Sequence, residues 1–97
     1  MPELTISGRK IGPEYPPLVI AEMGINHNGC LETAKVMVDS AARAGAEVIK
    51  HQTHVVADEM SSAAKSIVPV HSDESIYDIM EQCALSEEDE TELKRYI

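Results

Sequence analysis

Two short apolar runs in this chain each end on polar residues that can do chemistry. Leu18-Val19-Ile20-Ala21 stops at Glu22, and Val48-Ile49 leads into Lys50, His51 and Gln52. A carboxylate can hold or take a proton, an ammonium can clamp a phosphate or carboxylate, and an amide can donate and accept hydrogen bonds. Brought to one place, Glu22, Lys50 and Gln52 would gather a carboxylate, an ammonium and an amide at one mouth, where a half-buried Lys must find an anion to offset its desolvation. The plainer alternative is that Glu22 and Lys50 only neutralise each other across a sheet, and pattern alone weighs the two readings about equally.

The surrounding elements decide whether these residues meet. The first run follows Pro16-Pro17 and is rich in β-branched residues, which suits a strand covered on both faces. From Leu31 the period changes: Leu31, Ala34, Met37, Val38 and Ala41 form one apolar helical stripe. Glu32, Lys35, Asp39 and Arg43 fall on the other side, where the fourfold spacing of Lys35, Asp39 and Arg43 lets opposite charges meet. Gly45 is a helix stop signal, and Val48 to Gln52 reads as a second strand. A strand–helix–strand unit of this length makes the two strands parallel neighbours, about 4.8 Å apart. Alternation along each strand then puts Glu22, Lys50 and Gln52 on one face. All three fall at the carboxyl ends of their strands, where parallel sheets and barrels bind ligands.

The connecting loop, Met23-Gly24-Ile25-Asn26-His27-Asn28-Gly29, fails the phosphate motifs. Gly24 and Gly29 have P-loop spacing, but Cys30-Leu31 stands where Lys-Ser/Thr is required, and Asn26 replaces the middle glycine of a dinucleotide fingerprint. Asn28-Gly29 reads as turn chemistry, which leaves Asn26 and His27 as candidates for ligand contact. Cys30 occupies the helix N-cap, where a thiol can be activated, yet no partner base is identifiable. His51 and His54, three apart on a strand, cannot chelate one ion, and no metal ligands are read in this chain.

With 97 residues the chain supports at most one small domain, and three tyrosines are its only large aromatic side chains. A net charge of −9 argues against nucleic acid and anionic membrane as partners. No signal peptide or span is legible, so cytoplasmic residence is expected. Cys30 and Cys83 read as free thiols. Leu4 to Ile11, around Ser7-Gly8, predicts a hairpin, with Gly12 to Pro17 as connector. After the second strand a long loop runs from Val55 to about Ser72, weakly helical around Ala63 to Ser66. Ser75 and Ser86 are expected to cap two helices, with the acidic run Glu87 to Glu90 as a solvated first turn rather than a metal site. The helical pattern at Glu92 to Ile97 has no stop signal, and two parallel strands leave edges uncovered. An amino-terminal piece of a larger α/β protein is expected, partly folded or aggregation-prone by itself.

PLVIAEMGINHNG, AGAEVIKHQTH, DEMS, SIYDIM and CALSEEDE occur in this order, and together they resemble the amino-terminal part of bacterial N-acetylneuraminate (sialic acid) synthases and of related legionaminic and pseudaminic acid synthases. The resemblance runs over nearly the whole chain and about the first quarter of such an enzyme. It implies an α/β fold: an opening β-hairpin and the first βαβ units of a truncated TIM (β/α)8 barrel over residues 1–97, with the family's carboxy-terminal antifreeze-like domain absent. It also implies condensation of phosphoenolpyruvate with N-acetylmannosamine, with water attack and loss of phosphate, in a homodimer. By this resemblance Lys50 helps hold phosphoenolpyruvate, Gln52 contacts substrate, and Glu22 orients or deprotonates an oxygen. The divalent metal it implies, Mn or Mg, has its ligands outside this chain, so the chain alone is expected to be inactive. Two departures stand out. Val70-His71 follows Pro69 where family members often carry Gly-Asn, and Cys30 stands where Asp or Ser is usual. A related deoxy-sugar-phosphate synthase, or a non-enzymatic fragment pairing with another chain, are the alternatives.

Overall fold

A computed structural model describes residues 2–97. The chain opens with an antiparallel hairpin, β1 (Leu4–Ile6) and β2 (Arg9–Ile11), with Ile6 paired to Arg9. Ser7 and Gly8 between them both have positive φ, 47° and 81°, the two-residue turn whose twist matches its flanking strands. Arg9 ties the hairpin to the main unit. Its guanidinium donates to both carboxylate oxygens of Glu47, at 2.8 and 3.1 Å, and to the Pro16 carbonyl at 2.8 Å. This pairing raises the Arg9 pKa and holds Glu47 below the usual carboxylate value. Glu47 directly precedes the second strand, so the hairpin sits at the amino ends of the parallel strands.

Those strands are β3 (Ile20–Gly24) and β4 (Val48–His51), parallel and in the register Ile20↔Val48, Ala21↔Ile49, Glu22↔Lys50. β3 starts two residues later than the apolar run predicts, because its partner begins at Val48 and the Val19 carbonyl only accepts the incoming N–H groups of Glu47 and Val48. β4 stops one residue short of Gln52. The register shifts between Glu22 and Gly24, after which Gly24 pairs with His51 and the ladder ends, leaving Gln52 without a strand to pair with.

Helix α1 (Leu31–Arg43) joins the two strands. Cys30 is its N-cap and makes no side-chain cap bond, whereas its far end is closed as the sequence predicts. Gly45, at φ 93°, lets Gly45 N–H reach the Ala42 carbonyl and Ala46 N–H reach that of Ala41. A one-turn helix, α2 (Val56–Glu59), and a 3-10 turn at Ala64–Ser66 break up the segment read as a long loop. Helices α3 (Ile76–Cys83) and α4 (Glu87–Tyr96) follow, capped by Ser75 and Ser86, whose hydroxyls accept from Asp78 N–H and Asp89 N–H at 3.1 Å.

The core is Met23, Ala34, Val38, Leu85 and Leu93, with Leu31, Met37 and Ile49 packed against it. It lies on one side of the β3–β4 pair only, between the strands, α1 and α4. On the other face Ile20 and Val48 are 53% and 40% exposed within the described residues. The polar side of α1 also differs from expectation. Lys35 reaches Glu92 at 3.7 Å and lies over the Tyr96 ring, and Asp39 accepts from the Tyr96 hydroxyl at 2.6 Å. Partners on α4 win because a neighbouring helix covers that flank, which single-helix spacing rules do not see.

Candidate functional site

The open face of the strand pair carries the two charges that the alternation argument brought together. Glu22 and Lys50 are registered opposite each other, and Lys50 Nζ lies 3.1 Å from Glu22 Oε2. Both side chains remain more than half exposed, at 54% and 62%. An ion pair this open contributes at most about 1 kcal/mol to stability, so holding the fold together is a small part of what the two charges can do. Beneath them, Ile20 and Val48 form an apolar floor on the same face.

Asn26 joins this pair through Gly24. The point where Gly24 would carry a Cβ lies 3.7 Å from Glu22 Oε1 and 4.0 Å from Asn26 Nδ2, so carboxylate and amide flank the glycine. Asn26 Nδ2 also donates to the Met23 carbonyl at 3.0 Å, which shapes the turn. A φ of 55° at Gly24 suits glycine, and it is where β3 leaves the ladder.

Gln52 lies just beyond β4, and its amide oxygen is 3.2 Å from His54 Nε2. The other nitrogen of His54 contacts both oxygens of Glu59 on α2, at 2.8 and 3.0 Å, and Glu59 also accepts from Val55 N–H. A chain of side chains therefore holds the Gln52 amide from behind. The motif spacing of Gln52 and His54 contained this contact, but reading His54 as a strand residue hid it.

His27 goes elsewhere. It is 1% exposed, packed behind the strands against His51, and not beside Glu22 or Lys50. Burial first, and then the neighbouring His51, hold its pKa below the usual imidazole value. Its Nδ1 accepts from Gly29 N–H at 3.0 Å. His51 Nε2 in turn lies 2.8 Å from Glu90 Oε2, which also accepts from the Thr53 hydroxyl at 3.0 Å. The solvated reading of the acidic run is corrected at Glu90, whose side chain is only 15% exposed. Glu90 shares a helix face with buried Leu93, and that threefold spacing was the available signal.

Among the described residues no three His, Cys, Asp or Glu side chains converge as a cation cage, and no helix is long and apolar enough to cross a membrane.

Fold and site together define a parallel α/β protein with a charged cluster at the carboxyl ends of adjacent strands. The chain belongs to the NeuB family, which it matches over residues 37–97. It is similar to an uncharacterized protein of Methanocaldococcus jannaschii, with 33% identity over 99% of this chain and 26% of the relative. It is also similar to the N,N'-diacetyllegionaminic acid synthase of Legionella pneumophila, with 35% identity over 86% of this chain and 26% of that enzyme. Among solved structures, the spore coat polysaccharide biosynthesis protein SpsE of Bacillus subtilis superposes with a TM-score of 0.65 at 29% identity, covering 98% of this chain and 24% of that one. The chain thus spans about a quarter of the length of these relatives.

Proposed function

We propose that this chain is the amino-terminal quarter of a nonulosonic acid synthase, which joins phosphoenolpyruvate to an N-acetylated amino sugar with uptake of water and release of phosphate. The observation that carries this reading is the Glu22–Lys50 pair, 3.1 Å apart and open, at the strand ends of a NeuB-family chain. Lys50 is the anion clamp: when phosphoenolpyruvate arrives, a phosphate or carboxylate oxygen replaces the Glu22 carboxylate as its partner. Glu22, released from that pair, holds or accepts a proton from a sugar or water oxygen. Asn26 supplies an amide beside Glu22, and Gln52 presents the end of its amide that His54 leaves free.

The sugar is N-acetylmannosamine in a sialic acid synthase, and the amino-sugar precursor of N,N'-diacetyllegionaminic acid in an enzyme like the Legionella relative. The whole protein, on this reading, is a TIM barrel followed by an antifreeze-like domain, and works in the cytoplasm as a homodimer. On this reading the divalent metal implied by the family is held by residues outside this chain, and none of the roles above runs through it.

The test is to incubate the purified whole protein with phosphoenolpyruvate, Mn²⁺ and either sugar, following phosphate release and product mass. Phosphate release that requires the sugar, with a product heavier than the sugar by one pyruvate unit, is expected. Phosphoenolpyruvate left intact with both sugars, or phosphate released equally without them, overturns the proposal.

A further inference from the structure

Behind the strands, two buried ring atoms have no partner: His27 Nε2 and His51 Nδ1. Buried polar groups are nearly always bonded, so two exceptions on neighbouring rings call for one explanation.

The protonation of each ring follows from its other nitrogen. Gly29 N–H donates to His27 Nδ1, so that nitrogen is bare and the proton of the neutral ring sits on Nε2. Glu90 as a carboxylate can only accept, so in the singly protonated ring His51 carries its proton on Nε2 and leaves Nδ1 bare. What remains is a donor on His27 and an acceptor on His51, a complementary pair set by two unrelated contacts. The ring centroids are 5.4 Å apart and the planes tilt by 49°. That separation leaves about 3 Å between ring atoms that face each other, ordinary hydrogen-bond range. Two nitrogens without a third ligand are too few for a closed metal site.

We infer that His27 donates from Nε2 to His51 Nδ1, closing a hydrogen-bonded chain from Gly29 through both rings to Glu90 and Thr53, and that both histidines are positioning residues for the Glu22–Lys50 site. The chain spans the place where the backbone ladder gives out. The register shifts past Glu22, Gly24↔His51 is the last pair, β3 then turns into the loop that carries Asn26, and β4 ends at His51, the neighbour of Lys50. There the side-chain bridge reinforces the last backbone pair. Burial keeps His27 neutral and so in the donor–acceptor form the chain needs. The role in catalysis rests on the proposed function, whereas the bridge itself does not.

The experiment uses the whole protein in two arms. In the first, ¹⁵N-histidine labelling and long-range ¹H–¹⁵N correlation, with signals assigned by single substitutions, read the tautomers. Both rings are expected to carry a proton on Nε2 with Nδ1 bare, and His51 Nδ1 is expected to move to the shift of a free acceptor in His27→Phe. A proton on His27 Nδ1, or a His51 Nδ1 signal that ignores His27→Phe, overturns the bridge whatever the activity. In the second arm His27→Phe is expected to lower turnover of folded enzyme about 10- to 100-fold, with His27→Gln, which keeps a donor near the Nε2 position, recovering most of the loss. In a His51→Phe background His27→Phe is expected to add almost nothing. A loss that adds in full, with no rescue by Gln, overturns the positioning role. If wild-type protein shows no condensation at all, the proposed function falls and the tautomers alone decide the bridge.

Discussion

The two faces of the β3–β4 pair are built on opposite principles. Behind the strands, Met23 and Ile49 pack into a core with Ala34, Val38 and Leu93, and the polar groups there are tied to one another through Glu90, His51 and Gly29. In front, the described residues carry Ile20, Val48 and the Glu22–Lys50 ion pair without covering them. The same two strands thus separate holding the fold from presenting chemistry, and alternation of side chains is what makes the separation possible. Substitutions on the front should change reactions, and apolar substitutions behind should change stability, with the His27–His51 bridge as the one link between the two faces.

The sharpest way to break that division is Glu22→Gln in the whole protein. The amide keeps the shape and loses charge and basicity, so turnover should fall about 10²–10⁴-fold while the fold persists. Enzyme that keeps more than about a tenth of wild-type turnover at saturating substrates, with lowered stability, would reduce Glu22 to a neutraliser of Lys50.

Leu93→Ala is the mirror experiment behind the strands. Leu93 is 1% exposed, and its truncation should cost about 2–5 kcal/mol in denaturant unfolding and leave the turnover of the folded fraction nearly unchanged. An equal loss in both measurements would mean that the two faces are not independent.

Lys50→Ala should weaken phosphoenolpyruvate by about 1.5–3 kcal/mol, read as its KM, and the amino sugar far less. Equal shifts for both substrates would count against Lys50 as the anion clamp.

The smallest effect belongs to acid. His27 is held neutral below its ordinary value of 6.5, so as pH falls the unfolded chain takes up a proton that the folded chain refuses. Stability is therefore full above that value and declines below it, by up to about 1.4 kcal/mol per pH unit, until the lower folded value is reached. His27→Gln should remove that part of the acid slope; an unchanged slope between pH 6.5 and 5 would assign it to other groups.

Much of this division was legible in the sequence. Helix period and strand alternation are local, so the hairpin, α1 with its Gly45 stop, the Ser75 and Ser86 caps and the Glu22–Lys50 pairing all follow from spacing. What spacing could not supply were contacts across distant segments. His27 looked like a loop residue free to meet a ligand, because nothing near it announces that α4 brings Glu90 and a covered flank 63 residues later. Glu90 looked solvated for the same reason. The strand ends were misjudged by one or two residues since a ladder stops where its partner does, and the bulge after Glu22 is a property of the pair.

Gly29 sets a limit on how this chain can vary. It has a φ of 78°, and a Cβ there would overlap the Gln82 carbonyl oxygen at the end of α3, a backbone atom that cannot swing aside. Gly45 has a similar φ of 93° but open space around it, so asparagine, which tolerates that conformation, can stand there. Under random mutagenesis the helix stop should drift and the loop glycine should not. The joint between α3 and α4 thereby constrains what the loop carrying Asn26 can become, and new substrates would have to be accommodated by changing residues around that loop rather than by rebuilding it.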